Sequence, residues 1–140
     1  SPTAVSNVLD DHHLLRVVVG GKLVLWALQQ PSDWTKPNKT TETVDTLLRQ
    51  MVEETLPVVL AGDATFSDRG RAYRKLTSRF ADAMRGAWGG PTARAALLRP
   101  LLLRVDHVFE PDEWCADRAG RFAITGSDHR GVHVRIGPCA

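Results

Sequence analysis

Apolar residues in this chain fall into short dense runs separated by turn formers, and the spacing within each run predicts its element. The runs "HLLRVVVG" (13–20) and "KLVLWALQ" (22–29) are joined by Gly20-Gly21. Two glycines supply the positive φ angles of a tight hairpin turn, so an antiparallel pair is expected. Neither run alternates cleanly, which predicts strands covered on both faces. Residues 1–12 read as a polar lead-in, and "PSDWTKPNKTT" reads as a loop. Val44, Leu47, Leu48, Met51, Val52 and Thr55 share one helix face, with Thr40 or Thr41 as cap and Pro57 forcing the end. "PVVLAGD" (57–63) predicts a buried strand. Tyr73, Leu76, Phe80, Met84 and Ala87 predict a second helix that stops at Gly89-Gly90. "PTARAALLRP" fits either state, "LLLRVDHVFE" a strand, "EWCADRAGRFAITG" a strand pair or irregular edge, and "GVHVRI" a final alternating strand. Hairpins mixed with helical crossovers predict a layered α/β (α+β) architecture with a mixed sheet. Two helices are too few to cover both faces of that sheet.

Composition narrows the function classes. The chain has 140 residues, enough for one domain with a core of its own. Hydrophobic content of 43% and charged content of 24% suit a globular protein, and a net charge of +2 tolerates an anionic substrate without requiring one. No basic run interleaved with aromatics marks a nucleic-acid surface, and no apolar run reaches the length of a bilayer span. The opening "SPTAVSNVLDDHH" lacks the regions of a signal peptide, and a start on Ser-Pro without Met is expected from a trimmed chain. Cys115 and Cys139 lack metal-ligand spacing. They are either one disulfide or two free thiols, which leaves the compartment open.

The candidate chemistry sits where strands end. Asp63 closes an apolar strand, Asp106 lies in "RVDHVF", and "TGSDHR" puts Ser127, Asp128 and His129 before the last strand. Carboxylates gathered together raise one another's pKa unless a cation lies among them. Hard divalent ions such as magnesium take such oxygen ligands, and a histidine beside them can stabilise charge on a phosphoryl oxygen. An aspartate behind that histidine would fix its tautomer.

The motifs "PVVLAGDATFSD", "LLLRVDHVFEPDEW" and "TGSDHRGVHVRI", in that order, resemble the closing motifs of the endonuclease/exonuclease/phosphatase superfamily. Each motif is weak alone; three in order are specific, and the likeness runs from about His13 to Ile136. The resemblance implies a four-layer α/β/β/α sandwich, of which residues 13–140 would form the C-terminal half, and phosphoester hydrolysis with Mg2+ or Mn2+. It also implies roles. Asp63 would position or activate the attacking water and Asp128 would belong to the metal site together with Asp63. His129 would contact the scissile phosphate, oriented by Asp106. Thr65 stands where the family has a substrate-binding asparagine, Gln29 about where it has a histidine, and Gly131 in place of a proline, a change expected to be harmless. The family's metal-holding Asn and Glu belong to a first half that this sequence does not contain, so a complementary N-terminal fragment or self-association is implied.

Plainer readings compete. Gly-Asp is ordinarily a turn, and Asp128-His129 alone would be an unremarkable loop pair; the company of the other motifs reverses both. His107 should face away from Asp106 and serve packing. "DDHH" (10–13) reads as a solvated loop, Ser127 as a loop residue, Trp26 and Trp88 as core, and Trp34 and Trp114 as groove-flanking or core-capping. Two functions remain in contention: a metal-dependent phosphoesterase acting with its other half, and a relative that keeps the scaffold without the chemistry. A dedicated nucleic-acid-binding module ranks below both.

Overall fold

A computed structural model describes residues 3–9, 12–30, 37–87, 90–94 and 101–140. The elements are β1 (Thr3–Leu9), β2 (His12–Val19), β3 (Leu23–Gln29), α1 (Pro37–Met51), β4 (Val58–Asp63), α2 (Arg71–Leu76), β5 (Ala81–Asp82), α3 (Ala83–Ala87), β6 (Ala93–Arg94), β7 (Leu101–Leu103), β8 (Asp106–Glu110), β9 (Trp114–Ala123) and β10 (Arg130–Pro138). Six strands form one mixed sheet in the order β1-β2-β3-β4-β8-β5, and β9–β10 and β6–β7 are separate antiparallel pairs. Among the described strands only β3 and β4 run parallel, and α1 lies in their crossover.

The Gly20-Gly21 hairpin forms as the sequence predicts, with φ of 59° and 68° and a Lys22 N–H to Val19 carbonyl bond of 3.1 Å. The polar lead-in does not survive: Thr3–Leu9 is an edge strand paired along its length with β2. Thr40 and Thr41 lie inside α1 rather than capping it, because Pro37 opens the helix. The helix also stops short of Thr55. Glu54 leaves it to accept hydrogen bonds from Arg16 Nε (2.6 Å) and Trp26 Nε1 (3.0 Å) on the sheet.

The predicted second helix is broken in two, which makes three helical segments instead of two. The Thr77 and Ser78 hydroxyls bond back to the carbonyls of Tyr73 and Lys75 at 3.1 and 2.7 Å, which competes with continuation of the helix. Asp82 then caps α3 as a separate unit, its Oδ1 accepting from the N–H groups of Met84 (3.0 Å) and Arg85 (3.1 Å). The run "LLLRVDHVFE" is likewise two strands, β7 and β8. Between them the buried Arg104 bonds Asp82 at 2.6 Å, and the chain passes from the small β6–β7 pair into the main sheet. The "EWCADRAGRFAITG" region is one long strand, β9. Trp34 and Trp88 lie outside the described residues, as do Asp10 and Asp11; Trp26 is core and Trp114 half-buried.

Register sorts the side chains onto two faces. Leu14, Val24, Trp26, Leu28, Val58, Leu60 and Phe109 meet α1 and α2 in the main core. Val59 and Val108 point the other way, where Ala83, Met84 and the partly buried Ala116, Val132, Val134 and Ile136 meet them. Farther along this second face Leu15 and Val19 remain 40% and 44% exposed. A layer therefore covers one face, while among the described residues only the β9–β10 hairpin and α3 approach the other. On the hairpin, the Phe122 ring fills the space that a Cβ at Gly131 would need, so glycine has a local packing reason at the position where the resemblance would put a proline.

Cys115 and Cys139 are joined by a disulfide that closes the open end of the hairpin. Among the described residues there are no free cysteines, and no helix is long and apolar enough to cross a membrane.

Gly62 has φ 135°, and a Cβ there would overlap the Leu28 carbonyl of the neighbouring strand. Gly62→Ala should destabilise the chain by at least about 3 kcal/mol in urea unfolding, since strain and overpacking add. Cys139→Ser should lower stability by about 3 kcal/mol, the loop-closure value for a bridge of this span, and an unchanged urea midpoint would rule that contribution out.

Candidate functional site

Asp63 is the last residue of β4 and Asp106 the first of β8, and the two are direct antiparallel partners. Their side chains therefore share the face opposite α1 and α2. Thr92 helps hold the second strand: its buried hydroxyl accepts the N–H groups of Val105 and Asp106, each at 3.2 Å. Thr92 also ties in the last strand, since the Arg130 N–H donates to its carbonyl at 2.7 Å. A single bridge between Ala93 and His129 completes the attachment. No sequence signal marked Thr92.

This arrangement brings His129 to Asp106. Its Nδ1 lies 3.0 and 3.2 Å from the two carboxylate oxygens, and with the proton on Nδ1 the ring donates to them. Asp63, Asp106 and His129 each offer a ligand atom, all within 4.8 Å of one another, and all three are partly exposed. The two carboxylates supply the oxygen donors that a hard divalent cation takes. Burial holds the Asp63 carboxyl above its ordinary range, and Asp106 and Asp128 push it further up, against the Thr65 N–H and His129. A cation would relieve that repulsion, so the donor set fits a metal.

Asp128 is exposed and stands outside this tight group, although close enough for its charge to act on Asp63. The sequence placed the metal on Asp63 and Asp128; the geometry gathers Asp63, Asp106 and His129. Ser127 is a supporting residue whose hydroxyl accepts the His129 N–H at 3.1 Å. Gln29 ends β3 directly beside Asp63 in the parallel register and is exposed. His107 points away from Asp106, as alternation requires, and is 1% exposed among Phe66, Tyr73 and Phe109.

Thr65 follows the site carboxylate with φ 53°, the only positive φ of a non-glycine among the described residues. Its N–H donates to Asp63 Oδ1 at 3.0 Å. A β-branched residue is disfavoured in this left-handed region, which asparagine enters more readily. The resemblance that puts an asparagine here thus has a backbone reason as well as a side-chain one.

No family model and no curated protein matches the chain, but solved structures do. A mannosyl-6-phosphatase of Bacteroides thetaiotaomicron superposes with a TM-score of 0.71 at 18% identity, over 90% of this chain and 56% of its own. An endonuclease/exonuclease/phosphatase of Bacteroides vulgatus gives 0.72 at 18%, over 91% and 55%. D. rerio TDP2, complexed with a single-strand DNA product, gives 0.70 at 14%, over 98% and 67%. The chain spans about 55% of the length of the first of these relatives. At these identities the likeness concerns the fold. This chain has the fold of the endonuclease/exonuclease/phosphatase proteins, over roughly half of it.

Proposed function

We propose that this chain is the half of a divalent-metal-dependent phosphoester hydrolase that carries its histidine and two of its carboxylates. The observation that supports this most is the Asp106–His129 pair, at 3.0 Å, set beside Asp63 at the end of the central strands. Asp106 accepts from Nδ1 and so keeps Nε2 of His129 for a phosphoryl oxygen, whose growing charge the ring would stabilise. Asp63, raised by burial, is suited to orient or deprotonate an attacking water. Asp63 and Asp106 would hold a divalent cation, with Asp128 at the rim, and magnesium or manganese is the expected ion. When bound, such an ion polarises the phosphoryl group and neutralises charge.

The site is read as incomplete without a partner. The matched structures extend well beyond what this chain spans, and the apolar face bearing Leu15 and Val19 lies on the side of the sheet away from α1 and α2. A complementary N-terminal fragment covering that face is the favoured partner, with self-association as the other form. The phosphatase and the DNA-bound protein among the matches bracket the substrate as a phosphomonoester or a phosphodiester. A second reading, a relative that keeps the scaffold as a binding or structural unit, draws on Thr65 and Gln29 standing where the superfamily has an asparagine and a histidine.

Alone, the chain should bind Mn2+ weakly and hydrolyse phosphoesters poorly. With a complementary half, metal-dependent turnover of a phosphoester panel should appear, and Asp63→Asn and His129→Ala should each lower kcat by about 100-fold or more. Full activity in either variant would remove that residue from the site. A reconstituted protein inert to the whole panel would favour the scaffold. Thr65→Asn tests the strained position separately: it should raise stability by about 1 kcal/mol in urea unfolding, because asparagine tolerates this φ. In a working enzyme it should raise the rate too.

A further inference from the structure

His107 combines features that packing alone does not explain. The ring is buried, 1% exposed. Its Nε2 lies 2.9 Å from the Phe66 carbonyl oxygen. A carbonyl only accepts, so Nε2 carries a proton and donates it. The other ring nitrogen, Nδ1, is buried without a hydrogen-bond partner among the described residues. An apolar side chain of similar size would fill the same aromatic pocket without stranding a nitrogen, so the cost of the histidine needs something to offset it.

What the bond holds is the loop behind Asp63. Phe66 is three residues beyond that carboxylate, and the left-handed Thr65 lies between them. On one side, the Ala64 N–H donates to the Val105 carbonyl at 3.0 Å, pinning the loop to the approach to β8. On the other, His107 pins the Phe66 carbonyl and stacks on the Phe66 ring at 5.4 Å. A disfavoured backbone conformation persists only where its surroundings over-determine it. Pinned at 64 and at 66, residue 65 has little alternative, and its N–H is held on Asp63 Oδ1 at 3.0 Å.

We propose that His107 is a positioning residue that sets the Asp63 carboxylate from the far side of the sheet, by locking the loop that carries the Thr65 N–H. Neighbouring residues of β8 then serve the two parts of the site. Asp106 orients His129 on one face, and His107 steadies Asp63 through the other. The proposal rests on the site reading above for its catalytic consequence, but not for its geometry.

Amide exchange on the 140-residue chain by NMR tests the geometry without activity. In His107→Leu, the Thr65 amide should exchange about 10-fold faster relative to that of Leu60 in β4, because the loop opens locally. His107→Gln, whose amide can reach where Nε2 stands, should restore protection; His107→Asn, too short to do so, should not. Imidazole nitrogen spectra of the unsubstituted chain should show the Nε2–H tautomer, a measurement that stands even if the leucine variant fails to fold. The Nδ1–H tautomer, unchanged Thr65 protection in a folded leucine variant, or equal protection in the glutamine and asparagine variants would overturn the proposal. In a reconstituted hydrolase, His107→Leu should lower kcat about 10-fold with KM little changed. An equal loss in His107→Gln would also count against it. Should the reconstituted enzyme prove inert, the hydrolase reading fails while the exchange data still decide the role of His107.

Discussion

Strand β4 lies between a parallel neighbour and an antiparallel one, and residue 62 can be nothing larger than glycine for that to hold. Its φ of 135° and the nearness of the Leu28 carbonyl leave no volume for a side chain. With β4 seated, the registers follow. Asp63 falls opposite Asp106 on one side and opposite Gln29 on the other. Every group of the candidate site is placed relative to that strand end.

The sheet divides the work between its faces. Toward α1 and α2 lies the larger core, closed by Arg16, Trp26 and Glu54 where the helix ends. Arg16 beside the Glu54 carboxyl holds it below the usual carboxylate range, so this cluster keeps its charge near neutral pH. The other face carries the carboxylates at one end and partly exposed apolar side chains along the rest. The candidate chemistry and the partly exposed apolar side chains thus share a face.

Buried polar groups outside the site reinforce it from behind. Arg104, Asp82 and Tyr73 form one cluster, with the Tyr73 hydroxyl donating to Asp82 at 2.6 Å and the Arg104 guanidinium bonding the same oxygen. This cluster joins α2, the cap of α3 and the residues just before Asp106. Burying it is costly unless its members satisfy one another, and removing one partner would strand the others. It supports the start of β8 as Thr92 supports Asp106 and as His107 supports the loop after Asp63.

Local chemistry in the sequence was enough for the Gly20-Gly21 hairpin, the buried β4 and the first helix, while the candidates Asp63, Asp106, Asp128 and His129 came from the order of three motifs. Turn glycines and apolar periodicity act within a few residues, and motif order is itself linear, so a reading along the chain can see them. Other features depend on partners distant in sequence. The stripe from Tyr73 to Ala87 has helical spacing throughout, yet Asp82 is captured by Arg104 and by the α3 amides, and the helix breaks. Thr3–Leu9 lacks a strong pattern of its own and is a strand because β2 offers it an edge. By sequence the metal falls on Asp63 and Asp128, with Asp106 behind His129; in the fold the Ala93–His129 bridge and the Thr92 hydroxyl draw Asp106 and His129 together with Asp63 and leave Asp128 exposed beside them. His107 read as packing because alternation alone turns it from the carboxylates; only the folded loop shows that its far nitrogen reaches the carbonyl of Phe66.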